Sequence, residues 1–314
     1  MADEVRVKFK DHWYNVSDFL KKHPGGQNVL RLAKNNEIDS YLSGASSLGG
    51  QVHKHSANAY RMLQKYQEIE DKSAAEEQYN WLIDLEKPIL AQVGKLGPHY
   101  WEWIHTPVEK DLRMFESDWL ELLTRNRWYV IPLIWFPLST YFALTSFGVF
   151  SAKYGGLGGT GCVAVLFALG ILVWSLMEYH IHRYLFHWRP SPDSPTLILT
   201  HFILHGLHHK TPMDEGRLVF PPPMAAAVAL IMFLLYRAAF SWGVTMGLGA
   251  GHLFGYICYD VTHYYLHHGL PSPGSYFHKL KQYHHAHHFK NPDKSYGISS
   301  KLWDIPFGTV GAAK

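Results

Sequence analysis

The sequence predicts a small polar domain followed by an all-α membrane domain of about four transmembrane helices, capped on one face by a histidine-rich, metal-binding helical region. Three observations carry this. Charged and polar residues dominate up to about residue 127 and long apolar segments follow, so the mean hydropathy of −0.13 averages two unlike populations. Four apolar stretches, roughly 129–149, 161–179, 224–240 and 242–259, lie beyond that point. Most of the 22 histidines fall between Glu178 and Phe289 in four clusters, each beside one of those runs or their connections.

Length and charge narrow the field. A chain of 314 residues has room for a small domain and a larger one, and its net charge of +3 gives no reason to expect nucleic acid as a partner. Cys162 and Cys258 both sit inside apolar runs, which suits neither a disulfide framework nor a thiolate site and fits a reducing, cytosol-facing setting. The opening Met-Ala-Asp-Glu-Val-Arg-Val-Lys lacks the apolar core of a cleaved signal peptide, so insertion relies on internal spans. The expected boundaries are 1–67, 68–127 for a linker with interfacial helices, and 128–314 for the membrane domain.

Within the first domain, Tyr14-Asn-Val-Ser-Asp-Phe19 followed by His23-Pro24-Gly25-Gly26 resembles the haem-binding core of the cytochrome b5 family, over about residues 6–67. Pro24 fixes the backbone after the histidine, and two glycines let the chain turn tightly beside a porphyrin edge. A second axial histidine must come from the opposite wall, where His53 and His55 both stand. The family places its ligand directly before a serine, as in His55-Ser56-Ala57-Asn58-Ala59. The resemblance therefore implies a small α+β fold holding haem b between His23 and His55, with His12 and His53 in solvent. A bis-histidine haem has no open coordination position and serves electron transfer.

The linker carries Pro98-His-Tyr-Trp-Glu-Trp103 and Trp119-Leu-Glu-Leu-Leu123, in which tryptophans and leucines among charges read either as helices at a membrane interface or as ordinary packed helices. The first two apolar stretches are long enough to span a bilayer and are joined by the short loop Tyr154-Gly-Gly-Leu-Gly-Gly-Thr-Gly161; the last two are joined through Ser241-Trp242-Gly243 and form a hairpin that crosses or only dips. Two hairpins return the chain to one side, so all four histidine clusters share a face. Arg183, Arg189, Lys210, Arg217, Lys279, Lys281 and Lys290 lie on that side against Lys153 alone at the first tip, which assigns the face to the cytosol.

The clusters read His182-Arg-Tyr-Leu-Phe-His187, His205-Gly-Leu-His208-His209, His263-Tyr-Tyr-Leu-His267 and His284-His285-Ala-His287-His288. Helical spacings of three and four put 205/208/209, 263/267 and 284/287/288 on common faces. The pair His182 and His187, five apart, cannot share a face of an α-helix and is expected at a helix end. Ten imidazoles exceed what two zinc ions use, at four ligands or three plus water, whereas two iron ions at five or six ligands employ them all and supply redox chemistry.

These boxes, with Ile181-His-Arg-Tyr-Leu-Phe-His187 and Asp260-Val-Thr-His-Tyr-Tyr-Leu-His267, resemble the fatty acid hydroxylase superfamily of membrane di-iron enzymes. The fused haem domain, Arg217-Leu-Val-Phe-Pro-Pro222 and Gly297-Ile-Ser-Ser-Lys-Leu-Trp-Asp304 narrow the likeness to its fatty acid 2-hydroxylase branch, over nearly the whole chain. The resemblance implies that His182, His187, His205, His208, His209, His263, His267, His284, His287 and His288 hold two metal ions; iron is expected in the active form, and zinc can substitute for it in purified protein. His180, His252, His268 and His285 fall outside the pattern, and His201 is a candidate supporting group. Glu178 and Asp260 are costly in apolar surroundings unless they orient ligand imidazoles through the second N–H; the alternative is exposure at the interface. Tyr259, Asp260 and His105 are the candidate catalytic residues, and Arg217 a candidate head-group contact.

The implied reaction is O2-dependent hydroxylation at carbon 2 of a fatty acid, acyl-CoA or ceramide acyl chain bound for sphingolipids. Electrons would come from a cytosolic NAD(P)H-dependent reductase through the haem, in a multi-pass protein of the endoplasmic reticulum membrane. The rival is a haem-fused front-end acyl desaturase. Gln282-Tyr-His284-His285 imitates its third box, but its His-Asp-x-x-His first box is absent. A histidine-rich zinc transporter would need ligands near mid-membrane and no haem.

Overall fold

The computed structural model describes residues 4–10, 12–23, 26–50, 52–55, 59–60, 63, 66, 79, 81–108, 110–272 and 274–311. Pro24, Gly25 and Ser56–Asn58 of the haem motif, and 68–78 of the linker, lie outside them. The chain divides into two compact units, Met1–Ala75 and Glu76–Lys314.

In the first unit, strands β1 (Arg6–Phe9) and β2 (His12–Asn15) pair antiparallel with Val7 opposite Tyr14. Alternation along β1 buries Val5 and Val7 and turns Arg6 and Lys8 outward. Behind them lie a 3₁₀ turn, Ser17–Lys22, and helices α1 (Gln27–Leu32) and α2 (Asp39–Ser43). Val5, Val7, Tyr14, Val16, Leu20, Ala33, Ile38 and Leu42 form their shared core, so the unit is α+β.

The second unit is helical. Short helices α3 (Leu90–Val93), α4 (Tyr100–Ile104) and α5 (Asp118–Leu123) precede the apolar runs. The two readings of the tryptophan segments divide between them. Tyr100, Trp103 and Ile104 of α4 are buried in a core with Ile198, Phe202 and Leu207, the ordinary packed arrangement. On α5, Trp119 and Leu122 are 77% and 61% exposed, as an interfacial helix requires.

Helix α6 (Val130–His180) runs through both of the first apolar stretches. The expected loop at 154–161 is mostly helical, and the reversal it was expected to make is confined to one glycine. Only Gly155, at φ +76, breaks it. The break folds α6 back on itself. Its first arm runs antiparallel to α10 (Trp242–His268), with Ser139 bonded to the Ala250 carbonyl and Ser146 to that of Gly243; its second arm runs parallel, with Gly170 against Leu248 and Trp174 against Gly255. Gly243, Gly247, Gly251 and Gly255 form a stripe at every fourth residue of α10. A Cβ at Gly251 would meet the Phe167 carbonyl oxygen at 1.9 Å, so the backbones touch only because none is there.

Helix α9 (Pro222–Ala239) turns through Phe240 and Ser241 into α10. Among the described residues, two helices are long and apolar enough to cross a membrane by length and composition: the bent rod Val130–Phe186 and Pro222–Ala239. Between and after these lie α7 (Pro195–His201), α8 (Leu207–Lys210) and α11 (Tyr276–Phe289), which carry eight of the 22 histidines.

Candidate metal centre

Two departures from α-helical geometry build this site. Ile181–Phe186 and Phe202–Gly206 are π-helical turns, in which the backbone bond spans five residues. The His187 N–H accordingly donates to the His182 carbonyl at 3.1 Å. The wider turn brings a five-residue spacing round to the same side, and the rings of His182 and His187 lie 4.9 Å apart. The expectation that this pair cannot share a face holds for an α-helix and fails here for that reason.

All ten predicted imidazoles converge, in two groups of five whose ligand atoms lie within 4.8 Å of one another: His182, His187, His205, His209 and His287, and His208, His263, His267, His284 and His288. The clusters do not map one to a group. His208 leaves its neighbours for the second group and His287 leaves His284 and His288 for the first, so the two groups interlock. Rings of His209 and His288 pass within 4.4 Å across the boundary.

Within the first group the Nε2 atoms make a chain, His287 to His187 at 2.9 Å, His187 to His209 at 3.2 Å and His209 to His205 at 3.1 Å. In the second, His284 Nε2 lies 3.1, 2.9 and 3.1 Å from those of His263, His267 and His288. One nitrogen facing three others cannot serve as donor and acceptor to all of them. A cation at the centre makes every lone pair useful. With metal–nitrogen bonds of about 2.0–2.1 Å, adjacent ligand nitrogens stand roughly 2.9 Å apart at right angles and about 3.4 Å apart in a tetrahedron. The short spacings suit a coordination number above four, as does the count of five rings.

Electrostatics agrees. Burial, reinforced by neighbouring imidazoles, pushes His187, His205, His209, His284, His287 and His288 well below the usual histidine range, and His208 to about 3. Each is then neutral at physiological pH, the form that binds metal.

The candidate catalytic residues divide. Tyr259 is buried and stacks on His263, with centroids 6.0 Å apart. His105 packs its ring 5.0 Å from that of His209 and bonds through Nδ1 to the Trp101 carbonyl, leaving its buried Nε2 without a partner. Asp260 takes the Phe220 N–H and the Tyr256 hydroxyl, while Glu178 takes the N–H groups of Ile298 and Ser299 and the Ser299 hydroxyl. Neither carboxylate meets an imidazole, so the orienting role expected of them is not direct. The N–H donors of a nearby backbone satisfy them instead. Arg217 is equally committed: its guanidinium is 4% exposed and bonds to Asp214, Glu121, Thr124 and the Leu112 carbonyl, which leaves nothing for a head group. Lys210 is buried too, its ammonium on the Trp103 and Thr106 carbonyls, so neither cation adds to a charged surface. His201 is held by the Tyr100 hydroxyl at 2.6 Å, outside both groups. His180, His252, His268 and His285 lie outside them as well.

A cavity lies beside the cage, and no spacing in the sequence had indicated which residues line it. It encloses about 280 Å³ between α6, α9 and α10 and is almost wholly apolar, with Trp174, Phe186, Phe220, Ala225, Leu253 and Tyr259 among its walls. Tyr259 stands one helical turn before His263, so the cavity begins beside the second group.

In the N-terminal unit the rings of His23 and His55 face one another 6.4 Å apart at an interplanar angle of 27°. Two imidazoles bound on opposite sides of one metal, at bonds of about 2 Å, have centres roughly 6 Å apart. The spacing and near-parallel setting of the pair fit a bis-histidine haem. His12 and His53 are exposed.

Residues 167–309 match the fatty acid hydroxylase family, and residues 3–69 match the cytochrome b5-like heme/steroid binding domain. The fatty acid 2-hydroxylase of Homo sapiens is 39% identical, over 96% of this chain and 90% of its own length. The dihydroceramide fatty acyl 2-hydroxylase of Arabidopsis thaliana is 42% identical over 74% of this chain and 95% of its own. A solved structure of full-length scs7p, in which only the hydroxylase domain is visible, is 35% identical and superposes with a TM-score of 0.67, covering 78% of this chain and 92% of that one.

Proposed function

Because the chain belongs to the fatty acid hydroxylase family, in the branch that carries a fused cytochrome b5-like domain, we propose that the ten clustered histidines are the ligands of its two metal ions. The protein is a fatty acid 2-hydroxylase by activity, acting on fatty acids or on fatty acyl chains bound for sphingolipids. The relatives named above are hydroxylases, which favours this reading over the desaturase. The observation that carries the reading is the apolar cavity opening beside two five-histidine groups.

Iron in both groups would supply activation of O2 for attack on an unactivated C–H bond, and a haem between His23 and His55 would supply electrons one at a time. The overall balance consumes O2, two electrons and two protons and yields the 2-hydroxy acyl product and water. The chain's own residues do the rest. Trp174, Phe186, Phe220 and Leu253 hold the alkyl chain and exclude water, and Tyr259, which lines the same cavity and stacks on His263, links it to the second group. A tail lying in the cavity leaves only the carbons beside the polar head near the histidines, and positioning of this kind fixes the site of attack. His105 is the candidate to pass a proton at the first group, through its unpartnered Nε2.

The finer topology completes the proposal. Both arms of α6, with α9 and α10, make four spans, the histidine face and the haem unit look to the cytosol, the membrane is that of the endoplasmic reticulum, and a cytosolic NAD(P)H-dependent reductase feeds the haem. A ceramide-type acyl chain is the favoured substrate, as the Arabidopsis relative's name suggests. Mass spectrometry of lipids from cells expressing the chain tests this: 2-hydroxy acyl sphingolipids are expected, and a new double bond, or a hydroxyl deep in the chain, would refute it.

A further inference from the structure

The segment Gly297–Asp304 entered the sequence reading only as a family likeness, yet in the structure it braces one half of the cage. Two ligand rings have Nδ1 bonded to a backbone carbonyl: His182 to Tyr296 at 2.6 Å and His287 to Lys294 at 2.7 Å. Both belong to the first group. Nδ1 of His187 and His209 in the first group, and of His267, His284 and His288 in the second, has no partner, so the two carbonyl bonds set His182 and His287 apart from these five rings.

The Tyr296 carbonyl is aimed by a carboxylate. A trans peptide unit is planar, with its C=O and its N–H pointing opposite ways. The unit joining residues 296 and 297 gives its carbonyl to His182 and its N–H, on Gly297, to Asp304 Oδ2 at 2.8 Å. Asp304 Oδ1 takes the Tyr296 N–H at 3.0 Å and the Thr309 hydroxyl at 2.8 Å. Glu178 continues the pattern on Ile298 and Ser299 at 3.1 and 2.8 Å. Four consecutive N–H groups, 296 to 299, thus end on two buried carboxylates, and the segment cannot rotate. Asp304 is fully buried. A Cβ at Gly297 would meet the Ser300 carbonyl oxygen at 2.0 Å and Asp304 Oδ2 at 2.8 Å, so only glycine allows this grip.

We propose that Asp304, supported by Glu178, is a positioning residue that fixes the tautomer and ring orientation of His182 through the Tyr296 carbonyl, and so sets the affinity of the first metal site apart from the second. The proposal rests on the assignment of the two histidine groups as metal sites. Groups that orient ligand histidines are worth about 10- to 100-fold in metal affinity.

The test is stepwise metal removal from the detergent-purified full-length protein, loaded with zinc or iron and titrated with chelator, with metal content and helical circular dichroism read together. Asp304→Asn is expected to lose one of two ions about 10- to 100-fold earlier than the parent, the second leaving at the parent's chelator concentration. His187→Ala and His284→Ala are the controls, for the first and second groups. If neither control changes metal content, the ligand assignment is wrong. If both do while Asp304→Asn releases both ions as the parent does, or releases them together, the positioning role is wrong. Should Asp304→Asn lose helix content, Ser299→Ala, which removes one bond to Glu178 and no backbone contact, decides: selective weakening of one ion by a smaller factor supports the role, and unchanged release overturns it.

Discussion

The same side chain builds two different receptacles in this molecule. In the N-terminal unit two imidazoles stand nearly parallel, 6.4 Å apart, and leave a slab-shaped gap; in the helical unit ten imidazoles meet mostly edge to face at 4.4–5.4 Å, and their nitrogens converge on points. A slab admits a planar macrocycle, and a point admits a bare ion. Ring orientation, which the backbone sets, therefore distinguishes the two cofactor classes where residue type alone does not.

The largest expected effect comes from breaking the point-like receptacle. His284→Ala removes the nitrogen that contacts three others, and activity should fall to background with the second ion lost; retained hydroxylation in microsomes, read by mass spectrometry, would contradict the ligand assignment. Breaking the slab is expected to be equally damaging in cells yet leave the metals alone. His23→Ala or His55→Ala should abolish the haem Soret band and cellular product while metal per chain stays at the parental value. Metal loss in these variants would join two receptacles that have separate cores.

A change of pH sharpens the comparison further. The cage histidines have folded values below their unfolded value near 6.5, so below that pH the unfolded chain takes up protons that the folded chain refuses. Their stabilising contribution is full above about 6.5 and declines as pH falls toward the folded values, His208's being about 3. Between pH 7.5 and 5.5 the melting temperature of the membrane unit should fall while bound metal stays constant; metal loss tracking a midpoint near 6.5 would show ordinary, exposed imidazoles. The smallest effect is steric. Ala225→Phe fills the cavity at one wall and should lower turnover about tenfold without touching metal or haem, the loss of a well-oriented substrate rather than of the catalyst.

Much of this was legible. Helical spacing put eight of the ten cage histidines on common faces, because side-chain period is a property of sequence, and the family likeness supplied His182 and His187. What spacing could not give was how the rings divide: His208 and His287 each join the group opposite to their chain neighbours, a division set by tertiary packing that no single segment encodes. The π-turn at Ile181–Phe186 was illegible for a similar reason, since only the surrounding packing rewards its poorer hydrogen bonding. Arg217 looked like a free cation and is buried among Asp214 and Glu121, which lie far apart in the chain. The carbonyls of Lys294 and Tyr296 left no trace at all, because every residue carries one. The glycine stripe of α10, by contrast, stood in plain view at 243, 247, 251 and 255, with a period that the membrane rules would have recognised.

The π-turn at His182–His187 has a consequence for gene history. A π-turn is an α-helix with one residue too many, and a single-codon deletion anywhere in 183–186 would remove it. The resulting helix would have regular bonding and a steadier backbone, yet every later residue would swing by about 100°, carrying the imidazole at 187 off its target. Selection for robustness and selection for activity therefore pull this stretch toward different reading lengths, and an in-frame gap here in any descendant marks a lineage that has given up the chemistry and kept the fold.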